Sequence, residues 1–179
     1  GGLHIIKKKS IAEVRSLVSV GTTLYAGGEF EMADGVWLPP VDEWSDPELD
    51  HAITVNSVAQ WDGASWSPVG TGVQFVDGNT QLGEVMALAY GDNTLYAGGY
   101  FNRAGGKTVN YVAQWNGAAW SALGSGVRNR DFSTDSPIRS IVFDNGQLYV
   151  GGSFTAAGGK PVDLLAAWDG MAWNEVAGG

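Results

Sequence analysis

The residues best able to bind a ligand are concentrated in one stretch, residues 36–52. Carboxylate oxygens are the ligands that Ca²⁺ prefers, and indole rings stack on sugars or pack against partner proteins. The stretch contains five carboxylates, two tryptophans, three prolines and one histidine. They are Asp42, Glu43, Asp46, Glu48, Asp50, Trp37, Trp44, Pro39, Pro40, Pro47 and His51. We therefore expect a ligand or partner surface here.

Two interpretations of this stretch stay open. The first is a calcium site formed by four carboxylates, although their spacing lacks the Asp-x-Asp-x-Asp-Gly register of an EF-hand. These carboxylates are Asp42, Asp46, Glu48 and Asp50. The alternative is a solvated acidic loop. In the same way, the two tryptophans form either a binding platform or an anchor that pins the loop to the sheet below it.

Catalytic chemistry has little support in the sequence. Asp42 and Asp46 would serve glycoside hydrolysis only if they stood at a set distance in a cleft, and a proline-rich loop gives no sign of one. The chain contains no cysteine and only two histidines, His4 and His51, which excludes disulfides and thiol chemistry. We expect no enzyme activity.

Composition and charge exclude some classes of binding partner. A chain of 179 residues with 44% hydrophobic and 16% charged residues is long and apolar enough to fold around a core. The net charge of -9 would repel a phosphate backbone, and the basic run 7–9 is short, so we expect no nucleic-acid partner. No apolar run approaches the roughly 20 residues that span a bilayer, so we expect no membrane insertion.

The insertion interrupts a threefold internal repeat. Each copy has a Leu-Tyr-x-Gly-Gly-x-Phe run, then a Trp-(Asp/Asn)-Gly turn and a second tryptophan, and the copies lie about 53 residues apart outside the insertion. The runs are residues 24–30, 95–101 and 148–154, and the tryptophan pairs are Trp61 and Trp66, Trp115 and Trp120, and Trp168 and Trp173. The chain is therefore a repeat protein.

The runs and turns predict an all-β fold. Short apolar runs are joined by turn dipeptides such as Asn116-Gly117, and no helical period of about 3.6 occurs. Each copy reads as a four-stranded antiparallel meander. We expect one repeat domain, 1–179, with units at about 11–73 (including the insertion 36–52), 82–127 and 137–179.

Glycines inside a strand are typically kept where another chain or a bulky ring comes close. We expect the paired glycines of each run to receive the rings of Trp61, Trp115 and Trp168. The phenylalanines that end the runs should lie beside these rings, and they are Phe30, Phe101 and Phe154.

These motifs resemble the kelch-type blades of the galactose oxidase central-domain superfamily. They are more similar to the repeats of bacterial secreted proteins and fungal cortical polarity markers, and the resemblance covers nearly the whole chain. It implies a β-propeller with three four-stranded blades in this chain, and an extracellular or cell-surface location. The copper oxidases of that architecture use a cysteine-modified tyrosine, which a chain without cysteine cannot form.

Two classes of function follow. The first is a non-catalytic structural or interaction module that assembles through its blade edges into a ring or a filament. The second is a carbohydrate-binding propeller whose site lies on the face with the long loops. Because propellers close with about four to eight blades, three blades need a second copy or the remainder of a longer chain. The segment begins and ends at the same repeat position, so we expect head-to-tail contact between copies.

Overall fold

The computed structural model describes residues 12–33, 36–37, 49–50, 53–128 and 138–176. All regular structure in these ranges is β-strand, which confirms the predicted all-β class. Because the described ranges contain no helix, none of them supplies a helix long and apolar enough to cross a membrane.

The first repeat unit is built around an antiparallel four-stranded sheet, named sheet 1. Its strand order is β1-β2-β7-β8. Two short strand pairs, β3 with β6 and β4 with β5, extend from the connection between its second and third strands. The strands are β1 (Glu13–Val20), β2 (Thr23–Glu29), β3 (Met32–Ala33), β4 (Val36–Trp37), β5 (Leu49–Asp50), β6 (Ile53–Thr54), β7 (Val58–Trp61) and β8 (Trp66–Pro68).

The second unit repeats this arrangement in sheet 2. The segment that connects it to the first unit contains two further strands, β9 and β10. The order of sheet 2 is β11-β12-β15-β16, and a smaller sheet has the order β10-β9-β13-β14. The strands are β9 (Val73–Val76), β10 (Thr80–Leu82), β11 (Glu84–Gly91), β12 (Thr94–Tyr100), β13 (Arg103–Ala104), β14 (Lys107–Thr108), β15 (Val112–Trp115) and β16 (Trp120–Ala122).

The third unit forms sheet 3 in the same way. Its order is β18-β19-β22-β23, beside a small sheet of order β17-β20-β21. The strands are β17 (Val127–Arg128), β18 (Ile138–Asp144), β19 (Gln147–Gly152), β20 (Ala156–Ala157), β21 (Lys160–Pro161), β22 (Leu165–Trp168) and β23 (Trp173–Glu175). The predicted four-stranded antiparallel sheets are therefore present in all three units.

The tight turns have the predicted chemistry. Asp92 and Asn93 join β11 to β12 with φ values of 48° and 58°, which Asn and Asp tolerate better than other side chains. In the hairpin between β7 and β8, Asp62 Oδ1 accepts hydrogen bonds of 2.8 Å from the N–H groups of Ala64 and Ser65. These side chains fix the turns, and the turns fix the strand register.

The small sheets join neighbouring units. Strand β9 pairs with β13, and β17 pairs with β20, so each connecting segment adds a strand to the hairpin of the next unit. The Asn102 side chain also pairs with the last residue of β9, because its Oδ1 accepts from Val76 N and its Nδ2 donates to Val76 O. The described parts of these connections are therefore paired with the hairpin of the following unit.

The main sheets pack face to face through glycine positions in their second strands. A methyl group on Gly27 would lie 2.5 Å from Val85 Cγ1, and one on Gly98 would lie 2.6 Å from Ile138 Cγ2 and Ile141 Cδ1. Each of these glycines is thus covered by aliphatic side chains from the first strand of the following sheet. The expectation that the tryptophan rings fill these positions is wrong.

The tryptophans cover a different glycine, after the fourth strand of the preceding sheet. A methyl group on Gly70 would lie 2.8 Å from Trp115 Cζ3, and Trp120 Nε1 donates a 2.8 Å hydrogen bond to Val69 O. The third unit repeats the bond from Trp173 Nε1 to Leu123 O. The second tryptophan is also the better buried one, because Trp120 is 1% exposed whereas Trp115 is half-buried.

Candidate functional site

The residues singled out in the insertion fall mostly outside the described ranges. Trp37 lies in β4 and Asp50 in β5, and the two strands pair as Val36 with Asp50 and Trp37 with Leu49. The described ends of the insertion therefore pair with each other in antiparallel fashion, as β3 and β6 do. The remaining predicted ligands lie outside the described residues and are Asp42, Glu43, Trp44, Asp46 and Glu48.

Metal-binding geometry is absent from the part of the chain that the structure describes. Within those ranges, no three His, Asp or Glu side chains come close enough together to hold an ion. The calcium expectation therefore rests on the insertion alone.

The end sheets each present one face that no other described sheet covers. We call these the leading face of sheet 1 and the trailing face of sheet 3. The leading face carries Leu17, which is 58% exposed, although the equivalent residues Leu88 and Ile141 are each 7% exposed beneath the preceding sheet. Position in the stack, rather than residue type, accounts for the difference.

The trailing face has an uncovered glycine position. A methyl group on Gly151 would have Leu164 O at 3.9 Å as its nearest neighbour, whereas Gly98, the equivalent glycine of sheet 2, is tightly covered. Val142 on this face is 56% exposed, and its equivalent Ala89 is 7% exposed. The glycine position that receives aliphatic side chains inside the stack is open at the end of it.

Leu164 is the most exposed apolar residue of the trailing face, at 62%. Its backbone has φ of 63°, and the equivalents Ser57 and Tyr111 share this left-handed conformation. Ser57 is fully buried and its hydroxyl donates to the Gly83 carbonyl, immediately before the first strand of sheet 2. The next sheet therefore covers this position fully in sheet 1 and partly in sheet 2, where Tyr111 packs against the core between sheets 2 and 3.

Polar groups also cross the junction between sheets 1 and 2. Arg15 Nη2 lies 2.7 Å from Glu84 Oε1, and it also contacts Glu13 Oε2 at 2.8 Å. The N–H of Leu88 donates a 2.9 Å hydrogen bond to Ser16 Oγ. These two contacts fix the register of one sheet on the next in addition to the apolar packing.

A separate aromatic cluster lies beside the small sheet of the second unit. The Phe75 and Tyr100 rings stack with centroids 4.2 Å apart, and Tyr111 lies 6.3 Å from Tyr100. All three side chains are half-buried. Burial, with smaller effects of Tyr111 and Asp77, raises the pKa of Tyr100 above 10.0, so its hydroxyl is neutral and can donate a hydrogen bond at neutral pH.

Sequence reasoning missed this cluster, although the repeat contains the signal for it. Tyr100 stands where the other units have Glu29 and Ser153, and Tyr111 also differs from both of its counterparts. A position at which one copy departs from the repeat is a better guide to a unique site than an aromatic that recurs in every copy.

No protein-family model matches the chain, and no curated protein matches its sequence. Function is therefore inferred from the geometry of the described residues.

Proposed function

We propose that this protein is a non-catalytic structural and interaction module of β-propeller type, located outside the cell or at its surface. It assembles through the faces of its end sheets into a ring or a filament. The observation that carries this proposal is the contrast between Leu17, 58% exposed, and its covered equivalents Leu88 and Ile141, each 7% exposed.

The propeller assignment is supported by the way the sheets stack. All three main sheets are four-stranded meanders whose spatial order follows the chain, as in propeller blades. Their first strands are neighbours, because β1 contacts β11 and β11 contacts β18. Such contacts are expected of the strands nearest a propeller axis. The location outside the cell rests on the resemblance to secreted and surface repeat proteins.

The assembly role is supported by the cost of the uncovered faces. Leu17, Val142 and Leu164 are large apolar side chains on the end faces, and each is more than half exposed. In both internal junctions, the residues equivalent to Leu17 are covered by a neighbouring sheet and are only 7% exposed, so we expect a further sheet to cover the end faces as well. Burying it would stabilise the assembly by about 25 cal/mol per Å² of apolar area removed from water.

The mass of the protein in solution tests this proposal. Native mass spectrometry and light scattering of the 179-residue chain should give species heavier than the 18.8 kDa of a single chain. A monodisperse monomer at every concentration up to the solubility limit would contradict the assembly role.

Carbohydrate binding is the second candidate, and the aromatic cluster of Phe75, Tyr100 and Tyr111 favours it. Half-buried rings beside a phenolic donor provide both a stacking surface and a hydrogen-bonding group for a sugar. A glycan array should then give specific binding that is lost in Tyr100→Ala. The same substitution at Met171, which is 89% exposed in a turn, should leave binding unchanged. An array without signal would eliminate this candidate.

A further inference from the structure

We propose that the trailing face of sheet 3 binds the leading face of sheet 1 in a second copy of this chain. In this junction Leu17 is seated over Gly151, and Arg139 pairs with Glu13 of the other copy. The inference rests on the proposed assembly role and adds to it the partner and the register.

The apolar part follows from the two junctions already present within the chain. In both, the second-strand glycine of one sheet receives aliphatic side chains from the first strand of the next, as Gly27 receives Val85 and Leu88. Gly151 occupies the same position in sheet 3 and is open, and Leu17 is exposed at the position of Leu88. Each end of the stack therefore provides the half of the contact that the other end lacks.

The charges favour a second copy. Arg15 in sheet 1 pairs with Glu84 in sheet 2 at 2.7 Å. In the repeat, Arg139 of sheet 3 is equivalent to Arg15, and Glu13 of sheet 1 is equivalent to Glu84. Arg139 and Glu13 are both exposed. A head-to-tail contact would bring them together as the same kind of ion pair.

This complementarity is specific to the free faces and to the junction between sheets 1 and 2. In the sequence repeat, Met86 and Pro137 align with Arg15 and Glu84 one unit further on, and neither residue is charged. The repeat as such therefore does not require the charges. Their presence on two faces that no described sheet covers indicates that these faces contact each other.

Hydrogen-bonding groups agree with the same register. Ser140 is exposed and is equivalent to Ser16, whose Oγ accepts the N–H of Leu88 across the first junction. In the proposed junction Ser140 Oγ accepts the N–H of Leu17 in the same way. Sheet 2 has Ala87 at this position, so the junction between copies resembles the first internal junction more than the second.

The tryptophans add one more matching pair. Trp120 and Trp173 each donate through Nε1 to a carbonyl at the end of the preceding sheet. Among the hydrogen bonds of the described residues, none comes from Nε1 of the equivalent Trp66. The carbonyl of Val176 stands at the acceptor position of sheet 3, so it would accept from Trp66 of the second copy.

The contact is heterologous, because different faces of the two copies meet. If two copies form it twice, they close a ring of six sheets, which lies within the range of about four to eight blades that propellers use. We therefore expect a closed dimer, in which no copy of either end face remains exposed.

Charge reversal tests the ion pair and the partner together. R139E places two glutamates at the junction. E13R places two arginines there, and it also removes the ion pair between Glu13 and Arg15 within the copy. Each variant alone should dissociate to monomers, with a dissociation constant raised by about tenfold or more, since like charges in contact disfavour association. An equimolar mixture should form dimers with one copy of each, because both of their junctions then pair opposite charges. Native mass spectrometry of an isotope-labelled mixture detects this directly.

The matched control is Glu175→Arg. It changes charge in the same direction as E13R at an exposed residue of sheet 3. Its register partner, Ala166, belongs to the core between sheets 2 and 3, so the change lies on the face opposite to the trailing one. This variant should remain a dimer.

Gly151→Val tests the apolar contact in a variant that still folds. In a single copy the added side chain has open space, and the backbone at Gly151 is not left-handed. The variant should give a folded monomer that melts at the same temperature as monomeric R139E.

The outcomes separate this inference from the assembly role. If the unmodified chain assembles and its mass is unchanged in R139E, E13R and Gly151→Val, this junction is wrong and the assembly role stands. If the variants dissociate but their mixture does not recombine, the ion pair is wrong. If the unmodified chain is a monomer at every concentration, both proposals fail.

Discussion

Replacing Trp120 with alanine should cost most of the stability of the fold. The side chain is 1% exposed, and large-to-alanine changes at buried aromatics cost about 3–5 kcal/mol. The upper half of that range applies because glycines line the ring. Methyl groups on Gly70 or Gly105 would lie 3.1 Å from Trp120 Cδ1, so no neighbouring side chain at these positions can move into the cavity. The lost bond to Val69 O adds about 1 kcal/mol.

Two further variants separate the contribution of the hydrogen bond from that of the buried ring. Trp120→Phe keeps most of the ring and removes the hydrogen bond, so we expect a loss of about 1–2 kcal/mol. Trp115→Ala removes a half-buried ring, and its cost should be smaller, about 2 kcal/mol. Urea unfolding followed by tryptophan fluorescence and circular dichroism measures all three. The protein concentration must be matched, because assembly adds stability by mass action. A greater loss in Trp115→Ala than in Trp120→Ala would refute the packing argument.

Three other predictions concern packing, pH and calcium. Gly98→Val should destabilise the fold by about 1–3 kcal/mol in urea unfolding, because its Cβ would lie 2.6 Å from side chains of sheet 3; a neutral effect would contradict the close packing. The N–H groups of Ser65 and then Ala64 lower the pKa of Asp62 below 3.8, so its stabilising effect is complete above that pH and is lost as the pH falls through the lower folded-state value. As the pH falls through the folded-state pKa of Asp62, the free energy of unfolding should fall less steeply in Asp62→Asn and more steeply in Asn116→Asp. Denaturant midpoints measured at acidic pH test this, and the absence of both changes would show that the turn hydrogen bonds are unimportant. Millimolar calcium should raise the melting temperature if the insertion binds it, and Asp46→Asn together with Glu48→Gln should remove the rise; an unchanged melting curve leaves a solvated loop.

The strand order and the turns were predictable from the sequence because they depend on local signals. The turn at Asn116-Gly117 is specified by two adjacent residues, and Trp115 and Trp120 are paired across it as the hairpin requires. The contacts between sheets were not predictable in the same way. Which glycine meets which ring depends on the offset between sheets, so the tryptophans were assigned to Gly98 and its equivalents although they cover Gly70 and its equivalents.

The exposed end faces could not be identified from residue types. Leu17 and Leu88 are equivalent leucines in equivalent runs, and they differ only in whether another sheet lies in front of them. The ion pair was within reach of sequence reasoning, because Arg15 and Arg139 share a repeat position that Met86 breaks. This repeat position indicates an ion pair between sheets only once the contact between Arg15 and Glu84 is known.

The pairing of connecting segments with the following hairpin has a consequence for how the protein unfolds. Val73 donates to Asn56 O in the first unit, and its strand β9 pairs with β13 of the second unit. The boundary of a repeat in the sequence is therefore not a boundary of cooperativity. When one unit unfolds, the next unit also loses a paired strand. Unfolding is therefore coupled between neighbouring units, as in a one-dimensional array. Amide hydrogen exchange should then be slowest in the middle sheet and become faster towards both ends of the stack.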